Sequence, residues 1–251
     1  MNVPKKPFYH FSVDDVIQSL IEVSDKKIPL FDHSFFKFLK KLHDTYKTNI
    51  DLYLFYEATV DGTVRTLKDV SSDLKKIFQE NSWIRFGPHA LNDATKPHTQ
   101  TPEEQIKTFN LIYQEIDRFA GKERRSHLVR LHYFSESYEL ADFFKEHGVE
   151  ALFTTDKDAI SWRMPDDVKK SLKETGVTEY NGINFIRTNF RSENLIGRTN
   201  TESTIDAFLK TQGFVSILTH EYEVPRDEVK KATEEFIRYM VSKKALSVTL
   251  T

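Results

Sequence analysis

Short runs of β-branched and aromatic residues alternate along this chain with longer stretches of helical period. That alternation limits the fold more than any other feature, because strands separated by helices pair in parallel and bury both faces. The strand-like runs are residues 8–13, 50–56, 83–87, 128–131, 149–154, 183–187 and 213–219. Between them, Phe35, Phe36, Leu39, Leu42 and Tyr46 share one face of a helix over 34–46, and helical character returns over 67–78. The segment that opens at Pro102 carries the clearest helix signals. Pro102 suits a first turn, and Glu103 and Glu104 suit the positive end of the dipole. Ile106, Phe109, Ile112, Tyr113, Ile116 and Phe119 form its apolar stripe, and Gly121 ends it. A further helix reaches Gly148, residues 156–182 are less regular with a short helix near 166–174, and a last helix covers 225–243. The expected fold is α/β, a distorted TIM-like barrel of seven or eight βα units forming a single domain over residues 1–251.

Composition removes several function classes. Lys+Arg 36 against Asp+Glu 38 gives a net charge of −2, without the basic excess of a dedicated nucleic-acid binder, so no nucleic-acid partner is expected. With no cysteine, disulfide scaffolds, thiolate nucleophiles and cysteine metal sites are excluded. Only 8 glycines are present, and no Gly-x-Gly-x-x-Gly or P-loop follows a strand, which removes the support for nucleotide-binding readings. The first residues lack the apolar core of a signal peptide, and no apolar run approaches the ~20 residues of a membrane span. The expected location is the cytoplasm.

The polar residues gather at one rim. Strand one ends at Asp14-Asp15, strand three at Pro88-His89, strand four runs past Arg130 into His132-Tyr133, and strand seven ends at His220-Glu221. Chemistry in a βα barrel sits at these C-terminal strand ends. Adjacent aspartates at a strand end point in different directions, so one can bind a metal while the other takes a proton. His89 offers an imidazole ligand, and a three-ligand site with an open position is the pattern of catalytic zinc. His220 is placed to protonate a leaving group, and Arg130 to pair with Asp14. Taken singly, each has a plainer reading: the aspartates as a helix cap, His89 as a packed turn residue, His220 as the partner of Glu221. His10, inside strand one, reads as a core or supporting residue. His33, His43, His127 and His147 read as surface or helix-end residues.

In this order, the motifs resemble those of the polysaccharide deacetylase superfamily, carbohydrate esterase family 4, over about residues 8–221. The resemblance implies a distorted (β/α)7 barrel and a metal-dependent hydrolase that deacetylates an N-acetylated carbohydrate through a metal-bound water. The first motif is Ser12-Val13-Asp14-Asp15-Val16, with Asp14 as general base and Asp15 as metal ligand; Val16 replaces the usual Gly. The second normally holds two histidines four apart. Here His89 is followed at that spacing by Asp93, so either Asp93 or the later His98 completes the ligand set. The third is Arg130-Leu131-His132-Tyr133, with His132 where the family has Pro. Arg130 would orient Asp14, the Tyr133 N–H would serve the oxyanion, and His132 would line the substrate pocket. The fourth matches loosely at Asp158–Trp162, with Trp162 as a pocket wall, and the fifth ends in His220 as general acid. The implied cofactor is a divalent metal, zinc first, with manganese, cobalt or iron favoured if Asp93 is a ligand.

Three rival readings remain. The scaffold could cleave a non-sugar C–N bond. A two-carboxylate glycosidase could use Asp14 with Glu57 or Glu221, and would work in the presence of chelator. A catalytically inactive carbohydrate-binding barrel would bind without turnover.

Overall fold

A computed structural model of the chain describes residues 6–155 and 164–248. It opens with β1 (Phe8–Val16), α1 (Gln18–Lys26), α2 (Ser34–Tyr46) and β2 (Ile50–Phe55). A hairpin of β3 (Glu57–Val60) and β4 (Thr63–Thr66) precedes α3 (Leu74–Glu80), β5 (Ile84–Ala90) and α4 (Pro102–Phe119). Next come β6 (Leu128–Val129), α5 (Ala141–Glu146), β7 (Ala151–Thr154), α6 (Asp166–Thr175), β8 (Val177–Tyr180) and β9 (Ile183–Arg187). β10 (Phe190–Arg191), α7 (Thr201–Gln212), β11 (Phe214–His220), α8 (Asp227–Ser242) and β12 (Leu246–Ser247) complete the order.

One sheet runs β10-β11-β1-β2-β5 and a second runs β6-β7-β9-β8. All pairings in the first sheet are parallel, as are β6–β7 and β7–β9. The sheets abut at one parallel bridge between Phe86 and Arg125, and β9 passes from the second sheet directly into β10 of the first. The parallel strands therefore follow a barrel-like order, but the ladder is broken, and no closed barrel forms among the described residues. Two local causes are visible. β6 is only 2 residues long. Between β9 and β10, Asn189 meets Ser216 through side chains: Ser216 N donates to Asn189 Oδ1 at 2.9 Å and Asn189 N to Ser216 Oγ at 3.1 Å.

The period of two explains what lies inside. Along β1, Tyr9, Phe11 and Val13 alternate with His10, Ser12 and Asp14, and all six are buried. The polar set finds partners across the interior: His10 Nε2 lies 2.8 Å from Asp51 Oδ2, and Tyr53 OH donates to Leu128 O at 2.7 Å. Gly87 packs closely here, because a Cβ would stand 3.1 Å from the Tyr53 ring and 3.2 Å from Val129 and would force them to shift. Outside the sheet, Phe86 packs edge-on against Phe78 and Phe119 at 4.8 and 5.3 Å between centroids. α4 starts at a capping box in which Thr101 N donates to Glu104 Oε2 at 2.8 Å.

The expected short helix is α6. Two hairpins had no counterpart in the sequence reading. β3–β4 turns at Asp61-Gly62 (φ 50° and 77°), and β8–β9 turns at Asn181-Gly182 (φ 53° and 72°). Both use positive φ at two central residues, the geometry that suits strand twist. No helix among the described residues is long and apolar enough to cross a membrane. A cavity of about 920 Å³ lies at the N-terminal ends of the strands, lined by Phe8, Leu128, Ala151 and Phe214. The charged constellation lies at the opposite ends.

Candidate metal centre at the strand ends

Asp14 continues the inward face of β1, and Arg130 follows β6. Both are buried, at 2% and 0% exposure. Arg130 Nη1 donates to Asp14 Oδ1 at 3.1 Å and to Ser12 Oγ at 2.5 Å. Its guanidinium lies over the Phe153 and Tyr53 rings, 4.5 and 5.6 Å from their centroids, which gives a buried cation a second kind of partner. The Asp14 carboxylate is thereby fixed in place.

Asp15 does not continue the strand. Its φ of +64° is left-handed, a conformation that costs a residue with a Cβ about 1–2 kcal/mol, and it turns the carboxylate away from Asp14. Asp15 Oδ1 is buried and accepts no hydrogen bond. It lies 3.1 Å from His89 Nε2 and 4.0 Å from His132 Nε2. Both rings are anchored from behind: His89 Nδ1 donates to Arg130 O at 2.7 Å, and His132 Nδ1 donates to Thr95 O at 2.9 Å. A carbonyl can only accept, so each Nδ1 carries a proton, and Nε2 is the atom each ring turns inward, where it can serve as a ligand once it carries none. Burial, helped by the neighbouring His89, lowers the His132 pKa and keeps that ring neutral. Burial alone would raise the Asp15 carboxyl, but His89, His220 and His132 outweigh it and leave it below its ordinary value.

Asp15, His89 and His132 thus bring three ligand atoms within 4.8 Å of one another. Three convergent ligand atoms of this kind fit a cation. A carboxylate with two imidazoles is a donor set suited to zinc or iron. Phe55 packs on both rings, 5.3 Å from His89 and 4.9 Å from His132.

The other expected residues fall as follows. Asp93 and His98 stand outside the cluster. Asp93 sits in the exposed turn after β5 and lines an adjoining cleft. The His98 ring is held by Ser135, with Nδ1 3.0 Å from Oγ. His132, expected as a pocket wall, takes the place proposed for either of them. It faces inward because Tyr133 and Phe134 both adopt φ of 53°, which reverses the chain just after it. Tyr133 is 41% exposed and its ring lies 4.4 Å from that of His132. Trp162 and Asp158 lie outside the described residues.

His220 ends β11, directly paired with Asp14 across the β1–β11 register. Its Nδ1 is 3.2 Å from Glu193 Oε1. Burial lowers the His220 pKa, but Glu193 together with Asp14 and Asp15 outweighs it and the net shift is upward. Glu193 was not among the expected residues. The sixth strand was read as ending at Arg187, whereas the extended path resumes as β10 and delivers Glu193 to the same rim. Glu221 has a framework role: its carboxylate accepts from the backbone N–H of Ile17, Gln18 and Ser19 at 3.0, 3.0 and 2.7 Å. Glu57 Oε1 accepts from Asn92 Nδ2 at 2.8 Å.

No protein-family profile matches the chain, and no curated protein matches it in sequence. Solved structures do resemble it. A 4-α-glucanotransferase from Thermococcus litoralis superposes with a TM-score of 0.59 at 12% identity, over 95% of this chain and 37% of the other. This chain therefore spans well under half of that enzyme. A deacetylase solved with substrate superposes at 0.47 and 12% identity, over 96% of this chain and 87% of the other. A carbohydrate esterase family 4 pseudoenzyme from Bacillus anthracis does so at 0.46 and 10%, over 97% and 63%. At such identities the likeness concerns the fold alone, and the superposition at 0.59 supports a barrel-like α/β architecture.

Proposed function

We propose that the protein is a metal-dependent amide hydrolase, a divergent member of the polysaccharide deacetylase superfamily that removes acetyl groups from an N-acetylated carbohydrate. The observation that carries this reading is the grouping of Asp15, His89 and His132 ligand atoms beside the Asp14–Arg130 pair and the His220–Glu193 pair. A divalent ion held by the first three, zinc before manganese, cobalt or iron, would polarise the acyl carbonyl and acidify water. Asp14, held by Arg130, takes the proton of the attacking water. His220, whose raised pKa favours the protonated ring, gives its proton to the departing amine. The Tyr133 N–H is offered to the oxyanion, where one such donor is worth about 10²–10³ in rate. The glycosidase alternative loses its second carboxylate, since Glu221 is fully engaged by backbone amides and Glu57 by Asn92.

The test is metal content together with turnover. Wild type should carry about one ion per chain, lost in His89→Ala and His132→Ala and kept in Asp93→Ala and His98→Ala. Acetylated sugars should be hydrolysed, with Asp14→Asn slower by about 10²–10⁴. A protein that takes up no zinc, manganese or cobalt would overturn the reading. Sugar binding without turnover would favour the inactive barrel.

A further inference from the structure

At the strand ends opposite the metal centre, the described residues do not close over their own apolar side chains. Leu128, Ala151, Phe153 and Ile186 form an apolar cluster separate from the main core, and Val177, Phe214 and Val248 pack on it while staying partly exposed. Phe8, the register partner of Phe214, is also only half-buried. Between them lies the hollow of about 920 Å³, near the upper end of the roughly 300–1,000 Å³ of small-molecule sites. Its lining also includes Leu246 on β12, 46% exposed, and Val241 on α8, 39% exposed. An apolar group that enters such a hollow leaves water and takes this surface out of water with it.

The charges around the hollow are mostly of one sign. Lys6, Lys47 and Lys244 line it, all three are exposed, and none forms an ion pair with a described residue. Lys47 Nζ donates to the Asp44 carbonyl at 3.3 Å. The acid of the lining is Glu150, whose Oε1 is 3.8 Å from His127 Nδ1. Lys47 and Lys244 follow the C-terminal ends of α2 and α8, where a cation suits the helix dipole. The dipole accounts for these two lysines but not for the apolar hollow that they and Lys6 border. A second copy of the chain, docked here about a two-fold axis, would set this basic rim against itself. A bilayer is reached by apolar side chains that protrude, whereas the floor of Leu128, Ala151 and Ile186 is recessed and buried. An apolar tail with an anionic head satisfies both parts, the tail against the floor and the head among the lysines.

We infer that this hollow is a binding site for a free single-chain amphiphile with an anionic head, held by the Leu128–Ile186 floor and by Lys6, Lys47 and Lys244. The site does not depend on the hydrolase reading. The probes are decanoate, octanoate and decyltrimethylammonium, titrated calorimetrically into the full chain below their micellar concentrations. Decanoate should bind at a single saturable site. Octanoate, shorter by two methylenes, should bind about tenfold more weakly. Decyltrimethylammonium keeps a ten-carbon tail and reverses the head charge, so it should bind about tenfold more weakly than decanoate. Lys47→Gln and Lys244→Gln should each weaken decanoate about threefold. Leu246→Glu places a carboxylate at an exposed position of the lining and should abolish decanoate binding. All three variants should keep the metal content and the unfolding midpoint of the unliganded wild type. No saturable decanoate binding, or equal binding of decanoate and decyltrimethylammonium, would overturn the site. Capture by anionic vesicles without decanoate binding would assign the face to a membrane instead. A dimer that Leu246→Glu dissolves and decanoate does not would assign it to a second copy.

Discussion

In the proposed reaction, His220 as general acid sets the pH range over which the site can complete a turnover. Three histidines, one buried and two partly buried, are tuned in two directions. Burial lowers His10 and His132, suiting a core partner and a neutral ligand. His220 is partly buried too, yet Glu193, Asp14 and Asp15 raise it above its ordinary 6.5. A general acid works only while protonated, so activity falls as pH rises through its pKa. A raised value carries the alkaline limb of kcat above pH 6.5. Glu193→Gln removes the adjacent charge, so the limb should move to lower pH, with kcat on its alkaline side falling about tenfold for each unit moved. A kcat–pH profile that superposes on wild type would show that Glu193 does not tune His220.

α1 depends on a residue far away in sequence. Its N-cap position, Ile17, has no side-chain acceptor of its own. Glu221 supplies one from the end of β11, engaging three backbone amides and joining the segment after His220 to the segment after Asp15. Glu221→Ala should cost about 2–4 kcal/mol, from the lost cap and the stranded buried amides. Glu221→Gln, which keeps an acceptor oxygen, should cost less. Urea unfolding midpoints at unchanged slope measure both, and equal midpoints for Ala and wild type would remove this role. The parallel strands were legible in the sequence because burial on both faces makes them continuous apolar runs, such as 50–56 and 149–154. The β3–β4 hairpin was not, although Asp61-Gly62 is a strong turn signal, because Glu57 to Thr66 is half-exposed and shows no apolar alternation. Asp14, Asp15, His89, Arg130 and His220 were legible as strand-end polar residues. The inward turn of His132 was not. It follows from left-handed backbone at Tyr133 and Phe134, which neither residue type advertises.

At the scale of the whole molecule, the two larger sheets meet at a thin seam, and the cluster lies across it. Asp15 and His89 come from β1 and β5 of one sheet, while His132 follows β6 of the other. Among the described residues, strand pairing at that seam is the single Phe86–Arg125 bridge, with Ser126 N donating to Phe86 O at 2.8 Å. An ion bound by all three residues would cross-link the sheets where the ladder is weakest. It binds the folded chain only, because the unfolded chain does not bring the ligands together, so loading must add to global stability. At a free concentration 100 times Kd the gain is about 2.7 kcal/mol. For a chain of this size that corresponds to a Tm rise of roughly 5–11 °C. Zinc, manganese or cobalt should produce the rise and chelator should reverse it. His98→Ala should keep it, since that ring is engaged by Ser135. His132→Ala should lose nearly all of it, because the remaining ligands belong to one sheet and no longer bridge the seam. A wild-type Tm that ignores all three ions would refute the cross-link, and a full rise in His132→Ala would place the third ligand elsewhere.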